Sequence, residues 1–259
     1  MKKHRNSPEN TTVFEIDDDN RGKYVPHPLK KQPAKKSKRN VGSEPGAKDA
    51  VGLRIIGGRF HGTRLQYIGD NRVRPMKDRV REAVFNLIGP AIKGKHVVDL
   101  FGGTGALCIE AISRGAVSGT VIELHLPTAA MLRKNLESLA LLGTVELRKT
   151  DAFFWAKNKD EHPRGTPWIV FCSPPYGFYV DRWDEMLGLL TDLRDSGPAE
   201  SVFVIESDDR FDIAQLPFPV EAVRTRSYPP AEIAVYECGY PALSPVIDEI
   251  ESPRFAIPR

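Results

Sequence analysis

The 259-residue chain is 41% hydrophobic and 8% aromatic, enough for one sizeable core with appendages. No apolar stretch approaches the roughly 20 residues of a membrane span, and the charged N-terminus lacks a hydrophobic signal core, so a cytoplasmic protein without membrane contact is expected. The three cysteines (Cys108, Cys172, Cys238) and six scattered histidines have no metal-ligand spacing, so reduced thiols and no metal are expected, while a net charge of +3 hides a polarised chain.

Residues 1–52 hold 12 basic and 7 acidic residues, residues 53–95 hold 10 and 3, and residues 96–259 hold 15 and 24. The positive charge therefore precedes an acidic body, the pattern of a polyanion footprint carried by the N-terminal third. The first 52 residues show neither helical nor strand periodicity and too little apolar surface to offset ordering entropy, so a disordered basic tail is expected. Residues 53–68 then read as two short β-like runs around a glycine-containing turn, a hairpin signal, with Arg54, Arg59 and Arg64 along it and Arg72 and Arg74 after it. Asp78 suits the N-cap of a helix over 79–88, striped by Val80, Val84, Leu87 and Ile88 and stopped by Gly89, with Arg79 and Arg81 in its first turns.

From residue 96 strands and helices alternate. Strands are predicted at His96–Phe101, Gly119–Glu123, Val145–Arg148, Trp168–Cys172 and Ser201–Glu206, with helices at 105–114, from Pro127 through 129–142, after Asp151, and at 181–194. Val220–Arg226 and Glu232–Cys238 read as a closing hairpin around Pro229-Pro230. Repeated βα units imply an α/β fold with a mostly parallel, doubly wound sheet of seven strands over residues 96–240, preceded by the hairpin and helix of 53–95. Residues 241–259 are acidic and proline-containing and are expected to be loose.

Two turns carry the chemistry. Strand one ends in Asp99, and Phe101, Gly102, Gly103, Thr104 and Gly105 lead into a helix. Glycines let backbone amides approach a ligand at a helix start. The dinucleotide pattern Gly-x-Gly-x-x-Gly is absent. A carboxylate at 99 would repel a pyrophosphate but suits the ammonium of a methionine moiety. Glu123, ending strand two beside Leu124, is placed to accept ribose hydroxyls, a feature compatible with any adenosine cofactor, NAD included. Asp151 and Ala152, after strand three, lie where an adenine edge would sit, although Asp151 is equally a helix N-cap.

The second turn, Ser173-Pro174-Pro175-Tyr176, follows strand four. The prolines fix φ and remove two backbone donors, leaving a carbonyl to face a ligand. An exocyclic base amine is a poor nucleophile because its lone pair is delocalised. Acceptors at Ser173 and the Pro174 carbonyl would turn that lone pair toward a methyl donor, and a base stacked on Tyr176 would gain roughly 1–3 kcal/mol. S-adenosyl-L-methionine is the cofactor these two turns suit.

The stretches Arg54–Gly58 with Gly62, Arg74-Pro75 with Asp78–Asn86, Asp99–Gly115, Glu123, Asn135-Leu136 and Pro174–Tyr176 resemble the RsmD-like family, bacterial methyltransferases acting on guanine N2 of small-subunit ribosomal RNA. The resemblance implies a class I methyltransferase fold, cofactor at the carboxyl ends of strands one and two, and a ribosomal RNA or assembly-particle substrate met by the arginines of the N-terminal module. Two departures stand out. Ser173 replaces the family's usual Asp or Asn, and Gly102 replaces a frequent alanine, the latter expected to be benign. A hydroxyl is a weaker acceptor than a carboxylate, which keeps open a catalytically weakened RNA-binding relative and, since amino-methyltransferases of DNA tolerate serine there, a DNA enzyme.

Overall fold

The computed structural model describes residues 53–67, 69 and 75–239. The basic tail 1–52, the tail beyond 240, Ile68, Arg72 and Arg74 lie outside the described residues.

Seven strands form one sheet: β1 (His96–Asp99), β2 (Ser118–Ile122), β3 (Val145–Arg148), β4 (Trp168–Cys172), β5 (Val202–Asp208), β6 (Val223–Tyr228) and β7 (Ala231–Glu237). Their spatial order is β3-β2-β1-β4-β5-β7-β6, parallel except where β7 inserts antiparallel between β5 and β6. The helices are α1 (Asp78–Ile88), α2 (Ala106–Ser113), α3 (Leu126–Ser138), α4 (Ala152–Lys157), α5 (Phe178–Asp181) and α6 (Trp183–Ser196). The central strands read as unbroken apolar runs because both faces are covered. In β4, Ile169 and Phe171 enter one hydrophobic cluster with α1, α2 and α3, whereas Trp168, Val170 and Cys172 enter the other with α4 and α6. The two-residue alternation of a strand thus divides one sequence run between two cores.

The N-terminal segment forms only a short version of the expected hairpin. Only Arg54 and Arg64 form a bridge, flanked by the bonds Ile55 N–H to Thr63 O (2.9 Å) and Leu65 N–H to Leu53 O (2.9 Å). The reason is competition for its amides. Ile56 and Gly57 donate to the carboxylate of Glu110 on α2 (both 2.7 Å), Phe60 donates to Ser113 Oγ (2.9 Å), and Gln66 pairs through both backbone groups with the Asn135 amide on α3 (2.8 and 3.1 Å). The segment is a strap bonded to helices as much as a ribbon bonded to itself. Gly58 (φ +75°) permits this, since a Cβ there would lie 2.0 Å from the Ser113 carbonyl oxygen. Leu53, Ile55 and Leu65 share the sheet's own core with α1.

The α1 cap also differs. Lys77 takes the N-cap position, and Asp78 is the first helical residue. Its carboxylate turns to Arg54 (3.3 Å) and Arg81 (3.0 Å), two cations that outcompete the helix amides for it. Gly89 ends the helix with φ 55°, as expected.

Glu110 is fully buried and also accepts from Arg114 Nε (2.7 Å), with Arg81 Nε at 3.9 Å. Removing one partner of a buried charge pair costs far more than the pair contributes. Glu110→Ala is therefore expected to lower the unfolding free energy by about 3–5 kcal/mol. Arg133→Ala, which breaks a surface pair with Glu137, should change it by less than about 1 kcal/mol. Urea unfolding followed by the emission of the buried Trp155 and Trp168 compares the two.

Candidate active site

The carboxyl ends of β1, β2, β4 and β5 converge on one rim. β1 is bonded to β2 on one side and β4 on the other, with Asp99 in register with Val121 and Phe171. The glycine loop therefore emerges between the end of β2 and the Ser-Pro-Pro-Tyr turn.

Two bonds shape the loop against β2: Gly102 N–H donates to Ile122 O (2.8 Å), and Gly103 N–H donates to Glu123 Oε2 (2.8 Å). The other Glu123 oxygen accepts from His125 N–H (2.7 Å). Burial raises the Glu123 carboxyl above its ordinary range, and these two amides oppose the rise. A carboxylate has about four acceptor sites, so two backbone bonds leave capacity for a ligand. A Cβ at Gly102 would sit 2.2 Å from Val121 Cγ1 and 3.2 Å from Ile122 O, so glycine fits the close packing on β2, and a larger residue would force Val121 to shift. Leu124 stands exposed beside Glu123.

Asp99 is 1% exposed, and neither carboxylate oxygen has a hydrogen-bond partner among the described residues. Burial raises its pKa to about 7. The neighbouring Glu123 charge adds to the rise, while the amides of Cys108 and Phe101 oppose it without reaching bonding geometry. An orphaned buried carboxylate is costly. Here it ends a strand beside amide-rich glycine backbone, where a cationic donor from a ligand would satisfy it.

Asp151 fulfils the local role. Its Oδ1 caps α4, accepting from Phe153 (2.8 Å) and Phe154 (3.1 Å) amides, with Ala152 buried behind it. Phe153 meets Phe101 of the glycine loop (centroids 6.2 Å) and Phe178 after the proline turn (6.0 Å), and Arg182 lies 4.1 Å over the Phe153 ring. This aromatic junction ties the glycine loop to the first turns of α4 and α5. Sequence reasoning did not find it, because its members are far apart in the chain.

In the turn itself, Ser173 is half-buried, Pro174 buried and Pro175 exposed. The Pro175 carbonyl accepts from Phe178 N–H (2.9 Å), whereas no described residue donates to the Pro174 carbonyl. Tyr176 donates its hydroxyl to Glu206 Oε1 on β5 (2.7 Å). Glu206 was also missed, although it ends an apolar run as Asp99 and Glu123 do.

The arginines divide. Arg54, Arg59, Arg64 and Arg79 are exposed. Arg81 is not an RNA contact: it is fully buried and committed to Arg54 O (2.5 Å), Met76 O (3.1 Å) and Asp78. Its helical phase, one turn from Phe85 and beside Val80, points it into the core. Cys108 and Cys172 are buried free thiols, with Cys172 raised to about 12 by burial, so neither is a nucleophile. Among the described residues no group of His, Cys, Asp and Glu could hold a metal ion, and no helix is long and apolar enough to cross a membrane.

A seven-stranded sheet in this order, with a glycine loop after β1 and acids at the ends of β1 and β2, defines a class I S-adenosylmethionine-dependent methyltransferase. A family model described as Conserved hypothetical protein 95 matches residues 53–237. The chain belongs to this family, the RsmD-like methyltransferases. It is 38% identical over 141 residues to the ribosomal RNA small subunit methyltransferase D of Escherichia coli, covering 54% of this chain and 67% of that protein. It is 27% identical over 190 residues to the putative rRNA methyltransferase YlbH of Bacillus subtilis, covering 71% of this chain and 98% of that one. The solved structure of the putative methyltransferase yhhF from Escherichia coli superposes with a TM-score of 0.59 at 32% identity, covering 72% of this chain and 98% of that one.

Burial of Asp99 has a signed consequence. Its folded pKa (about 7) lies well above the ordinary aspartate value of 3.8, so its protonated form is favoured by folding and stability is lost as pH rises from about 4 to 7. Asp99→Asn should match the unmodified chain near pH 4 and exceed its stability by roughly 2–4 kcal/mol above pH 7. The same substitution should weaken S-adenosylhomocysteine binding. Thermal melts across pH and calorimetry read the two effects; equal pH profiles for both chains would contradict this account of Asp99.

Proposed function

We propose that this protein transfers the methyl group of S-adenosylmethionine to the exocyclic N2 of a guanine in small-subunit ribosomal RNA. The observation that carries the reading is the juxtaposition, at the ends of the adjacent strands β1 and β4, of an orphaned buried carboxylate with glycine backbone and a proline turn that offers acceptors. The nucleic acid comes from the relatives, which are named for ribosomal RNA of the small subunit. The choice of an amine nitrogen comes from the turn.

The residues divide the work as follows. Asp99 holds the cationic amino group of the cofactor, Glu123 accepts its ribose, and Phe101, Gly102, Gly103 and Gly105 line its path. Leu124, Asp151 and Ala152 border the adenine. When bound, S-adenosylmethionine supplies an electrophilic sulfonium methyl. Ser173 Oγ and the Pro174 carbonyl accept the two amine hydrogens, which localises the nitrogen lone pair, and Pro175 stiffens the turn; formation of the N–C bond would break the methyl–sulfur bond, release S-adenosylhomocysteine, and give up one amine proton to solvent. Tyr176 stacks on the base. A guanine in a folded RNA must leave its stack to reach this rim, at a cost of a few kcal/mol. Arg54, Arg59, Arg64 and Arg79 repay that cost through phosphate contacts, and residues 53–95 form the RNA-facing part of the protein.

Methyl incorporation from labelled cofactor into small-subunit RNA and into partly assembled particles, followed by mass mapping of nucleosides, tests the proposal. Label in N2-methylguanosine is expected; label confined to another nucleoside would refute the N2 assignment. Ser173→Ala should lower kcat about 10²-fold by removing one transition-state acceptor. Ser173→Asp should raise kcat above that of the unmodified chain, because a charged acceptor bonds more strongly.

RNA affinity offers a separate check. Arg59→Ala should weaken binding at all sequences and flatten the dependence of log K on log salt by about 0.7–0.9. A slope unchanged in filter-binding titrations would remove Arg59 from the interface.

A further inference from the structure

Glu206 is a buried acid on this rim that the proposed chemistry leaves without a task. It lies on β5, whose register with β4 pairs Ile205 with Cys172. One residue further along the two parallel strands come Glu206 and Ser173, so the carboxylate stands beside the first residue of the catalytic turn. It is 9% exposed. Its Oε1 accepts the Tyr176 hydroxyl at 2.7 Å.

The turn needs such an anchor. Pro174 and Pro175 have no N–H to donate, and the turn's backbone is tied forward by Phe178 N–H to Pro175 O (2.9 Å) and Tyr179 N–H to Tyr176 O (3.2 Å). Neither bond sets the rotamer of the Tyr176 ring. A partly exposed tyrosine turns about two side-chain torsions, and a stacking platform is useful only when its plane is set before the base arrives. A phenol bonded to a buried carboxylate on a strand paired on both sides has its far end fixed to the sheet.

We propose that Glu206 is a positioning residue, which holds the Tyr176 ring in the plane that receives the target base. The inference rests on the reading of Tyr176 in the preceding subsection. The role requires an acceptor oxygen at this place and no charge.

Four chains separate this role from simple stabilisation: Glu206→Leu, Glu206→Gln, Tyr176→Phe, and the double variant Glu206→Leu with Tyr176→Phe. Loss of one positioning hydrogen bond should lower kcat/KM for RNA about tenfold in Glu206→Leu and in Tyr176→Phe alike. Affinity for S-adenosylhomocysteine and the melting temperature should stay near those of the unmodified chain. Glu206→Gln keeps an acceptor oxygen and should retain activity within about threefold. The double variant should be no worse than either single one, because both remove the same bond. Base capture is read independently, as quenching of 2-aminopurine in a short single-stranded RNA with S-adenosylhomocysteine present. Quenching should be strong in the unmodified chain and weaker in Glu206→Leu and Tyr176→Phe.

Losses that multiply in the double variant would overturn the proposal. So would Glu206→Gln failing as badly as Glu206→Leu, or full activity in Glu206→Leu. If Glu206→Leu does not fold, Tyr176→Phe with unchanged kcat/KM and quenching overturns it alone. An unmodified chain that quenches 2-aminopurine yet methylates no RNA would refute the function proposed above, while the quenching ratios still judge Glu206.

Discussion

Everything at the rim depends on β1 being hydrogen-bonded to β2 on one side and to β4 on the other. That double pairing puts Asp99 level with Val121 and Phe171, so three strands end together. The glycine loop, Glu123 and the proline turn then project from one line of strand ends. Gly102 N–H reaching Ile122 O and Leu100 N–H reaching Phe171 O extend the pairing just past the strands, so even the loop is held by its neighbours.

The core of this pairing is also where the protein is electrostatically least comfortable. Asp99 is raised to about 7 by burial, and His96, three residues earlier on the same strand, is lowered to about 4 by burial. The two act on stability in opposite directions. Asp99 favours folding at low pH and loses that contribution as pH rises toward 7. His96, bonded across to Ser118 (2.8 Å) and Thr120 (3.0 Å), is neutral in the fold and loses its contribution as pH falls from 6.5 toward 4. The difference lies in partners: His96 has two, and Asp99 has none among the described residues. A strand that satisfies one buried polar group and leaves the other waiting is a strand shaped for a ligand.

The N-terminal strap shows how the same residues serve folding and exposure. Its amides go to Glu110, Ser113 and Asn135, so its path is dictated by α2 and α3. Asn135 also donates to Thr104 O (3.0 Å), which joins the strap to the glycine loop through one side chain. Arg81 turns inward to bind the backbone of this strap, while Arg54, Arg59, Arg64 and Arg79 stay outside. A basic segment is thus held against an acidic body with Arg81 and Lys95 turned to architecture and Arg54, Arg59, Arg64 and Arg79 left at the surface.

Local chemistry was readable from the chain alone. Alternating apolar runs and helical stripes located all seven strands, and Gly89 and Pro127 marked helix ends, because periodicity and backbone restriction act within a few residues. The glycine loop, the acids at 99 and 123 and the Ser-Pro-Pro-Tyr turn were legible for the same reason, as was the family they resemble. What the tertiary structure alone decided involves partners far apart in sequence. Asp78 left its expected capping role for Arg54, Gly102 packed closely on Val121, Arg81 chose the core, and Tyr176 found Glu206 thirty residues away. Such choices are settled by which donor meets which acceptor when the sheet closes, and no local pattern encodes that competition.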